Sequence, residues 1–379
     1  ENPRALPAAA ERERVDDFYA ARSSSMPPLP WPSFSPPFSV EAVASSGGQI
    51  MPPLMGAGAF VMVELTGTPY TQIITAALLP ALLYFIVVWF GIDAYARRLD
   101  LGGLPPEQQP EAREVLVTSA FFMVPFAVLL GAMFWAGYTP QYSAALAIIA
   151  GAFLLLTGAD MRLDLRRTVA RVEVALIGAA RQVSLIAAII LCASIIIGVL
   201  AMTGLGVKIT SLILSASNGN LWPSLLLTAL ACLVLGMEVP TTAAYVICVS
   251  VAGPALTALG LEPLQAHLFV FWFALLSTIT PPVCGAVFIA AGMAEENWLR
   301  VALTAMALGV GLYLIPLGMI ARPDLIRLAE APGSALLSAA FVGGGCVIIS
   351  YALIGLRRPV QTVAGLVLGL AMIFVSWGA

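Results

Sequence analysis

Three short strings place prolines beside small hydroxyl-bearing residues within otherwise apolar sequence: Ser45-Ser-Gly-Gly-Gln-Ile-Met-Pro-Pro53, Gly236-Met-Glu-Val-Pro-Thr-Thr242 and Ser277-Thr-Ile-Thr-Pro-Pro282. A Pro-Pro pair removes two amide donors and ends a helix, which frees carbonyl oxygens on one side of the break and exposes a helix N-terminus on the other. Freed carbonyls can hold a hard cation such as Na+, and the amide end attracts a carboxylate. Ser45, Ser46, Gly47, Gly48 and Gln49 before the first break add small polar ligands or close backbone approach, as do Ser277, Thr278 and Thr280 around the second. Thr241 and Thr242 can offer hydroxyls to an ion or a substrate, or cap a following helix. The bland alternative for each break is a proline kink satisfied by neighbouring Ser and Thr, as is common in membrane helices.

The elements that carry these strings follow from composition. Of 379 residues, 60% are hydrophobic and 10% charged, whereas a soluble domain carries about a quarter charged residues. The apolar residues fall in runs at 72–92, 115–136, 142–160, 183–203, 297–320, 335–355 and 361–378. Each is close to the ~20 residues that cross a hydrocarbon core as a helix. They are too long and too uniformly apolar for barrel strands, so the expected class is all-α and polytopic. A net charge of -3 without a basic, aromatic-interleaved patch gives no support for nucleic-acid binding. The five cysteines stand singly in apolar runs and read as packing residues. HExxH, GxSxG and an intramembrane carboxylate pair are all missing from the string, which argues against an intramembrane enzyme.

Positive charge orients the loops. Arg162, Arg166, Arg167, Arg171 and Arg181 cluster in one expected loop, Arg357 and Arg358 in another, and Arg97 and Arg98 in a third that also holds acids; all three are expected on the cytoplasmic side. Segment 222–258 would measure about 56 Å as one straight helix, nearly twice the core, so a re-entrant hairpin with its tip at 236–242 is expected. Segment 264–293, broken at 278–282, is expected to cross once as two half-helices.

The sequence also matches itself. At an offset of 229, Ile50-Met-Pro-Pro53 falls on Ile279-Thr-Pro-Pro282, Gly56-Ala57 on Gly285-Ala286, Thr75-Ala76 on Thr304-Ala305 and Leu83-Tyr84 on Leu312-Tyr313. Residues 45–86 carry 11 identities in 42 positions, against roughly four by chance in so biased a composition. On the path set by charge the two copies run in opposite directions, giving inverted repeats with discontinuous helices, an architecture of secondary transporters. Two isolated ionisable residues stand inside this region: Glu238 at the hairpin tip, either functional or hydrated in a wet cavity, and His267, either a proton relay or a structural interfacial residue.

Gly236-Met-Glu-Val-Pro-Thr-Thr-Ala-Ala-Tyr245, His267-Leu-Phe-Val-Phe271, Thr278-Ile-Thr-Pro-Pro282 and Glu41-Ala-Val-Ala-Ser-Ser-Gly-Gly-Gln-Ile-Met-Pro-Pro53 together resemble the large membrane subunit of tripartite ATP-independent periplasmic (TRAP) transporters, over about 40–330. The helices after Arg322 resemble the form in which small and large membrane subunits are fused. The resemblance implies an elevator-type permease of a bacterial or archaeal cytoplasmic membrane that imports a small organic anion. The coupling ion would be Na+, with no other cofactor, and the partners a periplasmic substrate-binding protein and a small membrane subunit, possibly fused. It places Na+ ligands at Gly236, Thr241, Thr242, Ser277 and Thr280; Ser46 and Gly48, before the first break, are expected to add to them. Substrate contacts fall to Gln49, Pro52, Pro53, Thr278, Pro281 and Pro282. Two departures from the family pattern are Glu238 in place of a small residue and residues 7–29, which show no counterpart of the hairpin.

The expected organisation is a disordered or non-native segment at 1–39, the remainder of the first repeat with connecting helices at 40–181, the second repeat at 182–330 and two further transmembrane helices at 331–379. No signal-peptide pattern opens the chain, and an N-terminal truncation is expected. The competing readings are a passive channel built from re-entrant segments and a truncated permease fragment unable to transport.

Overall fold

The structure is a computed structural model that describes residues 36–53, 55–100, 112–157, 165–237, 239–282, 284–294, 296–356 and 358–375. The expectations for 1–35, for Arg162 and Arg357 and for Glu238 lie outside these residues. Fifteen α-helices and one 3-10 turn make up the described chain, with no β-strand among the described residues. They are α1 (Pro36–Ile50), α2 (Ala57–Thr66), α3 (Tyr70–Leu99), α4 (Ala112–Phe134), α5 (Pro140–Thr157), α6 (Leu165–Thr203), α7 (Leu205–Ala216) and α8 (Leu221–Leu235). There follow α9 (Thr241–Ala258), α10 (Pro263–Leu276), α11 (Gly285–Ala294), α12 (Trp298–Leu308), α13 (Val310–Ala321), the 3-10 turn Pro323–Ile326, α14 (Pro332–Ile354) and α15 (Pro359–Phe374).

Local chemistry sets many of these bounds. Proline opens α1, α5, α10, α14 and α15, at positions where its missing N–H would have had no helical partner. Gly67, at φ 65°, closes α2 by donating its N–H to Val63 O, a left-handed turn that costs glycine little. Gly309 divides the apolar run 297–320, expected as one span, into α12 and α13; its N–H donates to Ala305 O at 2.7 Å. A Cβ there would meet Ala305 O at 3.0 Å and Ile279 Cδ1 at 3.2 Å. The helix break therefore lets this backbone lie against the end of α10.

Length and burial agree with a membrane protein. α3, α9, α12–α13 and α14 are long and apolar enough to cross a bilayer. On α3 the exposed residues Leu82, Phe85, Ile86, Trp89 and Phe90 form one helical stripe, a surface that only lipid or another protein can cover favourably. By contrast, α10 is buried almost all round, from Leu268 to Leu276, and packs on α1, α2, α8, α9 and α13. It is the central post of the fold.

Three boundaries differ from the sequence expectation. α1 begins at Pro36 rather than near residue 40, and Ser39 is buried in its first turn, donating to Val301 O at 3.3 Å. The proline pair starts a helix instead of preventing one, because first-turn amides need no helical acceptor. The expected basic loop is largely helical: Arg166, Arg167, Arg171 and Arg181 all lie on α6, 39 residues long, and arginine is a good helix former where it can reach water. Finally, α9 at 18 residues reaches the lower bound of a crossing, so arm length alone does not distinguish a hairpin at 222–258 from a span.

The two copies found at offset 229 correspond element by element: α1, α2 and α3 match α10, α11 and the α12–α13 pair. They are interleaved. α1 packs against α11 and α12 of the other copy, while α10 packs against α2. Gly58 of α2 makes the second crossing close, since a Cβ on it would lie 2.7 Å from Phe271 of α10. On the outer side, α3 packs on α14, and α14 on α15. Arg98 at the end of α3 donates to Ile354 O at 2.7 Å, so the basic residues of 97–98 and 358 gather on one side of the molecule.

Candidate functional site

Both breaks interrupt apolar sequence as the prolines require. α1 ends at Ile50 and α2 resumes at Ala57; α10 ends at Leu276 and α11 resumes at Gly285. The Pro52–Pro53 and Pro281–Pro282 peptide bonds are cis. Because residues 52, 53, 281 and 282 lack amide hydrogens, the carbonyls four residues earlier, at Gly48, Gln49, Ser277 and Thr278, have no α-helical donor to receive.

The α8–α9 tip reaches both breaks. On one side Ser277, 2% exposed, donates its hydroxyl to Gly236 O at 2.8 Å and Ala274 O at 2.7 Å. Gly236 is the residue that lets this approach happen: a Cβ would meet Ser277 Oγ at 2.8 Å, Cys232 O at 3.0 Å and Ala274 O at 3.1 Å. On the other side Thr241, the first residue of α9, donates to Gln49 Oε1 at 2.5 Å, in the last turn of α1. Gln49, Gly236, Thr241 and Ser277 are thus drawn into one locus by three elements far apart in sequence.

The other expected residues fall around this locus in different states. Thr280 donates to Leu276 O at 2.7 Å and shares a 2.7 Å hydrogen bond with the Tyr313 hydroxyl. Thr278 donates to Leu275 O at 2.8 Å. Thr242 is half-buried in the first turn of α9. Pro52 and Pro53 are buried, Pro281 is half-buried and Pro282 exposed. Residues 45–49 belong to α1: Ser46, 2% exposed, donates back to Ala42 O at 3.2 Å, and Gly48 is exposed with open space at its Cβ position. Helix continues to Ile50 because the missing amides begin only at 52, and the Met51 N–H just before them still donates to Gly47 O at 3.2 Å.

Three tyrosines and Gly47 support the site, none of them among the residues assigned to ion or substrate. Tyr84 donates to Val43 O at 2.7 Å, and Tyr70 to Pro53 O at 2.6 Å. Gly47, rather than Gly48, is the tight position, since a Cβ would lie 2.8 Å from Tyr84 and 2.9 Å from Phe85. The repeat offers a signal for two of them, because Tyr84 and Tyr313 occupy equivalent positions at offset 229 and each hydrogen-bonds toward a broken helix. Tyr70 has Leu299 as its counterpart, so the repeat is silent there. His267, on α10, shares a 2.7 Å hydrogen bond between its Nδ1 and the Tyr245 hydroxyl. That bond ties the second arm of the α8–α9 pair to the central post.

Helix ends give the locus its electrostatics. The C-termini of α1, α8 and α10 bring partial negative charge, while the N-termini of α2, α9 and α11 bring partial positive charge. One region can therefore receive a cation among carbonyls and hydroxyls and an anion among amides. In comparison with known proteins, the family model described as "Tripartite ATP-independent periplasmic transporter, DctM component" matches residues 34–333. No curated protein matches the chain.

Proposed function

Since the chain belongs to the DctM-component family of tripartite ATP-independent periplasmic transporters, a family of multi-pass membrane permeases, we propose that it works as a sodium-coupled importer of a small organic anion. The observation that carries this reading is the double link of the α8–α9 tip, through Gly236 to Ser277 at one break and through Thr241 to Gln49 at the other.

In this reading Na+ binds at the C-terminal ends, using freed carbonyls near Ser277 and Gly236 with the hydroxyls of Thr241, Thr242 and Thr280; Ser46 and Gly48 supply the first-repeat share. The substrate carboxylate sits against the amide ends after Pro52-Pro53 and Pro281-Pro282, with Gln49 and Thr278 beside it. Coupling follows from this neighbourhood. A cation at the C-terminal ends offsets the desolvation of the anion, and the anion does the same for the cation. Gln49 and Thr241 meet across the tip, so their hydrogen bond must open if the tip moves to admit or release substrate. A periplasmic binding protein delivers the anion, a small membrane subunit completes the permease, and the two copies run in opposite directions across a bacterial or archaeal cytoplasmic membrane.

The test is uptake of labelled organic acids into proteoliposomes that contain the chain, the small membrane subunit and the binding protein. Saturable uptake that needs both an inward sodium gradient and the binding protein is expected. Flux that persists without either would replace this reading with a passive channel.

A further inference from the structure

A groove along α3, lined by residues to which the transport reading assigns no role, stands open on the molecule. α3 packs against α14, and α14 against α15, and along these helices lies a cavity of about 430 Å³ lined by Phe90, Ile348, Tyr351, Leu356 and Gly365, with Asp93 and Arg97 at one end. A second cavity of about 320 Å³, lined by Phe85, Ile86, Trp89 and the same Phe90, adjoins it along α3. Together they follow α3 from Phe85 to Arg97, about 18 Å at 1.5 Å per residue. That is close to the ~15 Å depth of one leaflet's hydrocarbon.

The polar end has a specific unused capacity. Arg97 Nε donates to Asp93 Oδ2 at 2.8 Å, with side chains 72% and 40% exposed. A guanidinium has five N–H donors and a carboxylate two oxygens, so this pair retains the Arg97 amino groups and Asp93 Oδ1 for an outside partner. That partner must offer an anion and a hydrogen-bonding cation a few ångströms apart, above an apolar chain. We infer that the groove binds a phospholipid bearing a primary amine, phosphatidylethanolamine in chemical type, with its phosphate on Arg97, its ammonium on Asp93 and one acyl chain along Phe90, Trp89 and Phe85. A choline headgroup lacks the N–H donors for Asp93, and a glycerol headgroup lacks the cation.

The missing Cβ of Gly365 shapes the floor. Gly365 lines the cavity, and a Cβ there would lie 2.7 Å from Ala352 Cβ, so α15 closes on α14 only because that residue is glycine. A lipid held here bridges α3 to the terminal pair α14–α15 and adds to the Arg98–Ile354 bond that already joins them.

The experiment is native mass spectrometry of the delipidated protein in detergent, given equal amounts of phosphatidylethanolamine and phosphatidylcholine with identical acyl chains. One retained phosphatidylethanolamine per chain is expected, preferred over phosphatidylcholine by about tenfold, the scale of a charge-assisted hydrogen bond. Asp93→Asn should abolish the preference while leaving phosphatidylcholine retention unchanged, which also shows that the variant is folded. Ile348→Trp, which narrows the groove, should lower retention of both lipids. Equal retention of the two lipids by the unmodified protein, or a preference that survives Asp93→Asn, would overturn the inference. So would full displacement of the lipid by glycerophosphoethanolamine, which would make this a site for a soluble headgroup.

Discussion

Thr241 Oγ1 donates to Gln49 Oε1 across 2.5 Å, joining the first turn of α9 to the last turn of α1. These residues are 192 positions apart, and each lies where a helix begins or ends beside a proline. The bond closes the locus on the first-repeat side as the Ser277–Gly236 bond closes it on the second. Removing it with Gln49→Ala and Thr241→Val, singly and together, should give a coupling energy of about 0.5–1.5 kcal/mol in a thermal-unfolding cycle. In proteoliposomes the same variants should lower anion uptake more than they lower stability. Full additivity of the two substitutions would show that the hydrogen bond has no energetic role.

Gly236→Ala forces a methyl group against Ser277 Oγ, Cys232 O and Ala274 O. Overpacking of this kind costs about 1–3 kcal/mol, and two of the three neighbours are backbone atoms that cannot rotate away. Uptake should fall to background and the melting temperature should drop. Ser277→Ala removes only a hydroxyl and should cost less, about 1 kcal/mol. The double variant should recover part but not all of the loss, because the carbonyls at 232 and 274 remain; full recovery would place the whole conflict at the hydroxyl.

Thr280 and Tyr313 share a 2.7 Å hydrogen bond, which allows ion ligation to be separated from support. Thr280→Val keeps the side-chain shape but deletes the oxygen, whereas Tyr313→Phe deletes only the oxygen's partner. If Thr280 holds Na+, the sodium concentration for half-maximal uptake should rise at least severalfold in Thr280→Val and much less in Tyr313→Phe. Equal shifts in the two variants would make Thr280 a support for the break rather than a ligand.

The Tyr245–His267 bond, 2.7 Å between Oη and Nδ1, is predicted to be structural. Tyr245 is fully buried, and Tyr245→Phe would leave the half-buried His267 without this partner at a cost of about 1–3 kcal/mol. The melting temperature in detergent should fall, while the sodium dependence of the residual uptake should stay as in the parent chain. A changed sodium dependence would bring His267 into the coupling machinery.

How much of this was legible in the sequence depends on the range of the interaction. Apolar runs of bilayer length, the helix class, the duplicated break and the position of each proline interruption are local properties of composition and of missing amides, so they could be read directly. The repeat even marked Tyr84 and Tyr313, because an offset match retains supporting residues along with the prolines. Short-range chemistry also misled in places. Pro36-Pro37 looked like the end of a disordered stretch and instead opens α1, while the arginines of 166–181 looked like a loop and lie on a helix. Both follow from one fact: a proline or an arginine is compatible with a helix or a loop, and the neighbouring packing chooses.

The sequence by itself determined that this chain is a helical membrane protein broken twice at equivalent Pro-Pro pairs, because lipid forbids unpaired backbone and proline removes the pairing donor. Tertiary structure alone decided which polar groups share one place. Gln49 meets Thr241 and Ser277 meets Gly236, while the Ser46 hydroxyl bonds within its own helix and the Gly48 Cβ position faces open space. The physical reason is that a break fixes where backbone groups are freed, whereas their partners are set by how α1, α8, α9 and α10 cross. That crossing rests on close approaches at Gly58, Gly236 and Gly309 between residues too far apart in sequence for any local pattern to pair them.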